Sequence, residues 1–445
     1  MKKGKILQTS EGYLNKMPIF QFILVSVLFA LWGAASALND ILITQFKTVF
    51  SLSDFATAFV QSAFYGGYFL LALPASLLIK KTSYQVAIIC GLFFYILGCY
   101  LFFPASSMAT YGMFLFAIFI LALGLSFLET SANTFSSMLG PKDSATLRLN
   151  ISQTFNPIGC IVGIVLGKYL VFNDGASLEE QMAGMSASEV QAFGLEMLQN
   201  TLAPYKYILV VLIVMLVLFI VVKFPKCKTQ ATVPNVKDKS AGFKETLKVL
   251  SKNTRFKKGV LAQFFYMGVQ VGVWSFTIRL ALDMHSELNE RVASNYMIIS
   301  YVAFFVGRFL ANFLIARYSS TRVLFIYSTI GSVVLAYASI VPNVTAIYAA
   351  VFVSVLFGPC WPTIFAHTLE VVEDKRHVEM AGAIIVMAIV GGAIIPAVQG
   401  LVSDLLGSMQ WSFMIPTICF AYVAYYFYKE SKFEKTEREE PILSA

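Results

Sequence analysis

Charge is what this sequence has least of. Only 13% of its 445 residues are Asp, Glu, Lys or Arg, where a soluble domain carries about a quarter. With 58% hydrophobic residues, 40 Phe and 21 Tyr, the chain cannot cover itself in water, and so much apolar surface also excludes disorder. Histidine is scarcer still, at three residues, and the six cysteines show no metal-ligand spacing, so zinc clusters are ruled out. Cys90, Cys99, Cys160, Cys360 and Cys419 lie in apolar runs and read as small apolar fillers, while Cys227 sits in a charged linker. No His-Glu-x-x-His helix, Gly-x-Ser-x-Gly elbow or phosphate-binding loop occurs, which removes metalloprotease, serine hydrolase and ATP-driven pump. No enzyme activity and no cofactor are expected.

What the chain has is long apolar runs and a mean hydropathy of +0.72. Its solvent is lipid. A membrane helix needs about 20 mostly apolar residues. The first run, Met17 to about Phe46, follows Lys2, Lys3 and Lys5; it is too long for a signal peptide and lacks a cleavage site. Further runs lie near 55–79, 85–104, 109–139, 147–171 and 204–224, then 258–284, 292–316, 321–341, 344–372, 378–403 and 408–428. The expectation is an all-α integral membrane protein with twelve transmembrane helices in two six-helix bundles: residues 1–224, a basic linker 225–257, and 258–445 with a C-terminal tail.

Charge distribution orients the bundles. Between Lys223 and Lys258 stand eleven basic residues, which marks the linker as cytoplasmic. Lys80-Lys81, Lys142, Arg148, Arg317, Arg322 and Lys375-Arg376 fall on the same side, as do both termini; the opposite insertion 173–203 holds five acids and no base. The net charge of +8 is therefore positive-inside bias and no sign of a nucleic-acid partner. A multi-pass protein of the inner (plasma) membrane, monomeric and surrounded by lipid, is expected. A trace of repetition supports two related halves: Gly67-Tyr68-Phe69-Leu70 precedes Lys80-Lys81, and Gly307-Arg308-Phe309-Leu310 precedes Arg317 and Arg322. Duplicated bundles are the architecture of secondary transporters.

A charge at the bilayer centre costs about 2.5–3.5 kcal/mol on insertion scales. Two acids stand out in apolar context, Asp40 in helix 1 and Glu129 in helix 4. Each could be a structural acid bonded between helices or a proton carrier, neutral in one state and charged in another. Polar residues recur at helical spacing around them. Asn39 precedes Asp40, Asn133 follows Glu129 by one turn, and Asn150, Gln153 and Asn156 line helix 5 beside Pro157 and Gly159. Helix 2 offers Gln61, Tyr65 and Tyr68, and helix 7 offers Gln263, Met267, Gln270 and Trp274. One such stripe is interhelical glue as readily as function. Several together imply a polar cavity suited to a neutral polyol, because amides bond hydroxyls in both senses and aromatic faces pack the C–H side of a sugar. Trp32 and Trp361 divide between core packing and sugar contact. An organic anion would want an intramembrane cation, and Lys168, Arg279 and Arg308 lie toward span ends. His367 reads as a hydrogen-bonded or interfacial residue and Arg308 as support for the helix 8–9 loop.

At Asn39-Asp40-Ile41-Leu42, Phe127-Leu128-Glu129-Thr130-Ser131-Ala132-Asn133 and Gln153-Thr154-Phe155-Asn156 the sequence resembles the fucose permease family of sugar:proton symporters, within the major facilitator superfamily. The likeness continues through Gly268-Val269-Gln270-Val271 with Trp274, Pro362-Thr363-Ile364-Phe365 and Gly391-Gly392. The resemblance implies the major facilitator fold and proton-coupled import of a neutral monosaccharide, L-fucose or another hexose such as galactose or glucose. It makes Asp40 the coupling acid, Glu129 an acid for both proton and sugar, and Gln153 and Asn156 cavity residues. An intramembrane enzyme or a channel is the rival class; two bundles on a linker fit alternating access better.

Overall fold

The computed structural model describes residues 6–9, 12–172, 177–227, 243–285, 287–315, 317–372, 374 and 377–443. Much of the basic linker, Lys375-Arg376 and the start of the acidic insertion thus lie outside the described residues. Nearly everything else is helix. The first six long helices are α1 (Ile19–Val49), α2 (Phe59–Lys81), α3 (Tyr84–Met108), α4 (Tyr111–Met138), α5 (Ala145–Leu170) and α6 (Leu202–Val221). The next six are α7 (Thr254–Met284), α8 (Glu290–Ile315), α9 (Ser320–Ile340), α10 (Thr345–Phe357 with Cys360–Glu370), α11 (Met380–Leu406) and α12 (Met414–Leu443). Among the described residues eight helices are long and apolar enough to cross a membrane, and nine if the halves of α10, bent by 41°, form one span. The other three, α5, α7 and α12, are 26, 31 and 30 residues long. Their length suffices, but they carry the polar and charged residues that lower their hydropathy.

Lys-rich helix Phe243–Lys252 stands ahead of α7 and buries Thr246 and Leu250. The insertion folds too: Ala187–Asn200 starts with a capping box, Ser186 and Glu189 exchanging side-chain and backbone bonds. Cys227 is buried, its sulfur 3.9 Å from the Met138 carbonyl. Burial pushes this thiol up to about 12, the nearby Arg148 charge pulling it the other way, so it is an inert filler.

The chain packs as two compact units, Met1–Gln45 with Gly66–Asn173 and Met182–Lys239, and Phe46–Tyr65 with Asp174–Gln181 and Ser240–Ala445. Backbone-to-backbone seams organise each one. In the first, a Cβ on Gly33 would clash with the Asn156 carbonyl and one on Gly159 with the Ala30 carbonyl, so α1 and α5 touch without side chains between them. In the second, Gly391 stands against the Phe264 carbonyl in the same way, joining α11 to α7. Gly67 of α2 faces Phe119 of α4, and Gly307 of α8 faces Val355 of α10. Spans 1 with 5 and 2 with 4 therefore recur as 7 with 11 and 8 with 10. The four-residue repeat seen in sequence marks equivalent contacts. Small residues are what allow such approach in lipid, where packing replaces the hydrophobic drive.

Candidate functional site

Within the first unit the α1–α5 seam fixes the register of the polar residues. Asn156 Nδ2 lies 3.5 Å from the Phe29 carbonyl, and Ser26 and Ser152 join hydroxyls at 2.9 Å one turn away. On α1, the Trp32 ring packs at 4.4 Å on Phe29. Asn39 and Asp40 are both buried, and Asn39 Nδ2 has no hydrogen-bond partner among the described residues. An unbonded buried amide costs about 1–3 kcal/mol, which makes it a position suited to a ligand hydroxyl.

On the neighbouring pair, Glu129 of α4 takes a hydrogen bond from the Tyr68 side chain of α2. One turn on, Asn133 Oδ1 accepts from Gln153 Nε2 of α5 at 2.7 Å. The two stripes read in sequence thus meet. A carboxyl, a phenol and two amides come from three helices of one bundle.

The second unit holds the other expected residues. Trp274 donates its Nε1–H to Ser354 at 3.1 Å and sits among Tyr301, Phe304 and Phe357. Trp361 is stacked on Phe365, rings 5.4 Å apart and 6° from parallel. Gln270 is buried on α7, as is Gln263, whose amide lacks a partner at both ends among the described residues. His367 is hydrogen-bonded as expected, its Nε2 3.0 Å from Glu430, which Arg255 also holds. Arg308 Nε points to the Gly358 carbonyl at 3.4 Å, so it braces the break in α10.

Sequence reading missed one cluster altogether. Arg279, placed toward a span end, is buried with Asp54: Nη1 to Oδ1 is 3.1 Å, and Lys47 reaches the same oxygen at 2.8 Å. Asp54 follows the helix-capping Ser53 and so looks like an ordinary solvated first-turn acid. The available signal was Arg279 itself, since a cation in an apolar run calls for an acid.

The family model of the Major Facilitator Superfamily matches residues 22–300 and 270–442. The chain belongs to the major facilitator superfamily. It is 36% identical to the L-fucose-proton symporter of Escherichia coli (strain K12) over 91% of this chain and 92% of that protein. The Glucose/galactose transporter of Brucella abortus biovar 1 (strain 9-941) is 30% identical, over 90% and 92%. Among solved structures, FucP, a Major Facilitator Superfamily (MFS) transporter, in the outward conformation superposes with a TM-score of 0.68 at 35% identity, covering 92% of this chain and 98% of the other. As a major facilitator superfamily member the chain is a multi-pass membrane transporter and not an enzyme. The polar residues of its first unit have a matching chemistry. Amides donate to and accept from hydroxyls, and a carboxyl in an apolar bundle can take up and release a proton.

Proposed function

We propose that this transporter imports a neutral monosaccharide together with a proton by alternating access, and that the sugar is L-fucose. One observation carries the reading: Glu129, bonded to Tyr68, stands one turn from the Asn133–Gln153 amide pair. A hydroxyl-rich solute and a proton can be handled there by adjoining groups. On this reading Asp40 and Glu129 couple the proton. Glu129, Asn133, Gln153, Asn156, Asn39 and Trp32 contact sugar from the first six spans, and Gln270, Trp274 and Trp361 from the last six. Residues 1–224 are the proton-coupling and sugar-binding half, 225–257 the cytoplasmic linker and 258–445 the second half. Both termini are cytoplasmic, the carrier is a monomer, and it needs no cofactor or nucleic acid. The printed names of relatives support the substrate class: two are L-fucose-proton symporters, and those at 30% identity are called glucose/galactose transporters, which makes a second hexose the alternative.

The test is uptake into proteoliposomes of L-fucose, D-galactose, D-glucose and N-acetylglucosamine, with and without an inward proton gradient. L-fucose should accumulate only with the gradient, and a protonophore should abolish it. Uphill uptake of galactose or glucose alone would replace the sugar but keep the mechanism. Gradient-independent uptake of every sugar would remove the proton.

A further inference from the structure

On α7 the residues Gln263, Tyr266, Gln270 and Trp274 recur at a spacing that places them on one face. That face meets α10. The Tyr266 hydroxyl donates to the Phe357 carbonyl at 2.9 Å, Trp274 donates to Ser354, and a Cβ on Gly259, one turn before Gln263, would run into the Thr368 side chain. Both neighbouring spans are interrupted at the height of Gln263. α10 bends between Phe357 and Cys360. α11 tightens into a 3-10 turn at Ala388–Val390, just before Gly391 reaches the Phe264 carbonyl. Interrupted spans are where transporters commonly build solute sites. The packing nearby is apolar: Phe256, Val260 and Phe365 share one cluster, and Phe265 meets Tyr422 edge-on. Gln263 is 1% exposed, and neither its Oε1 nor its Nε2 has a hydrogen-bond partner among the described residues. Repair of the bend does not account for it, because the Phe357 and Gly358 carbonyls are taken by Tyr266 and Arg308. Packing does not account for it either. An unbonded buried amide costs about 1–3 kcal/mol, and a methionine of similar length would fill the space without that cost.

We infer that Gln263 is a further sugar-binding residue of this transporter, its amide holding two adjacent hydroxyls of the monosaccharide within the second unit. The inference rests on the sugar-transport reading above and names the group that is recognised. Oε1 accepts from one hydroxyl while Nε2 donates to its neighbour. The two atoms lie side by side on one planar group, which matches the paired hydroxyls of a vicinal diol. A carboxylate would engage only the donor and a cation only the acceptor, so each would leave half of the buried amide unbonded. Gln270 stands seven residues further along α7, about 10.5 Å along the helix axis. Two glutamine side chains reaching toward each other narrow that gap to the width of one pyranose ring, so a single sugar can meet both.

The experiment is calorimetry on the purified full-length chain with L-fucose and with analogues that each lack one ring hydroxyl. In the unaltered chain, loss of either of two adjacent hydroxyls should weaken binding by roughly tenfold or more, because the partner amide is left unpaired. Gln263→Met should weaken the parent sugar by a similar factor. It should also bind those two analogues as well as the parent, while the remaining hydroxyls keep their contributions. Its thermal midpoint should be unchanged or raised, since an unbonded amide has been removed. A lowered midpoint with every analogue weakened alike would make the amide structural and overturn the inference. So would a pattern across the analogues identical to that of the unaltered chain. Gln263→Asn, which keeps the amide one methylene short, is the second variant should Gln263→Met not fold. It should lose the contribution of the same two hydroxyls, and an unchanged pattern there overturns the inference equally. Binding needs no proton gradient. Loss of the two hydroxyl contributions in a chain whose uptake ignores the gradient would keep Gln263 and reject the symport reading. Gradient-driven uptake with an unchanged pattern would do the reverse.

Discussion

At the scale of single residues the two buried acids have different company, and their roles separate accordingly. Glu129 stands with Tyr68, Asn133 and Gln153, all able to meet a sugar hydroxyl, while Asp40 is buried deep on α1 next to Asn39. Asp40→Asn mimics a permanently protonated carrier. It should still bind sugar and exchange it in counterflow, because no charge opposes reorientation, yet fail to concentrate sugar against a gradient. Glu129→Ala should lose binding as well, since an acceptor leaves the sugar site. Counterflow measured beside pH-driven uptake distinguishes them, and uphill accumulation by Asp40→Asn would remove that residue from coupling. Asn156→Ala should weaken sugar binding by about 1–3 kcal/mol through an unpaired hydroxyl; calorimetry in detergent that finds affinity unchanged would take α5 out of the site.

At the scale of elements, the glycine seams are the parts of the fold least able to tolerate volume. Gly159→Ala puts a methyl into the Ala30 carbonyl and should cost about 1–3 kcal/mol, since an overpacked contact has nowhere to relax. Gly112→Ala, with nothing within 4 Å of the new methyl, should leave the thermal midpoint in detergent unchanged or slightly raised. Equal midpoints for the two variants would show that the α1–α5 seam is soft. The helices themselves were legible in the sequence, because an apolar run of 20 or more residues has one structural outcome in lipid. Their interruptions were less so. The run 344–372 hides the break between Phe357 and Cys360, where Pro359 removes a backbone donor and Arg308 from another span takes up the Gly358 carbonyl. Helical spacing also revealed the Glu129–Asn133 face and the Gln153–Asn156 stripe, since residues one turn apart must share a face. It could not reveal that Asp54 is joined to Arg279, 225 residues away. Periodicity reports on one helix at a time, and a partner at that separation is set by packing alone.

At the scale of the whole molecule, orientation is the property most cheaply checked. The exposed Ser188, in the acidic insertion, and the exposed Ser251, beside the basic linker, should lie on opposite sides of the membrane. Ser188→Cys should react with an impermeant thiol reagent from outside, and Ser251→Cys only after the cells are opened; the reverse pattern would invert the topology. Given that orientation, one proton falling through 100 mV supplies about 2.3 kcal/mol, enough for roughly a 50-fold gradient of a neutral sugar. One-to-one coupling is therefore sufficient for import.

The seams joining α1 to α5 and α7 to α11 have a thermodynamic consequence as well. Where backbone meets backbone there are no rotamers to freeze or release, so these joints contribute almost no conformational entropy as the carrier changes state. Helix pairs locked in this way pass through the cycle as stiff struts. On the alternating-access reading, the conformational-entropy change of the cycle then resides in side chains outside these seams, such as the polar groups around Glu129.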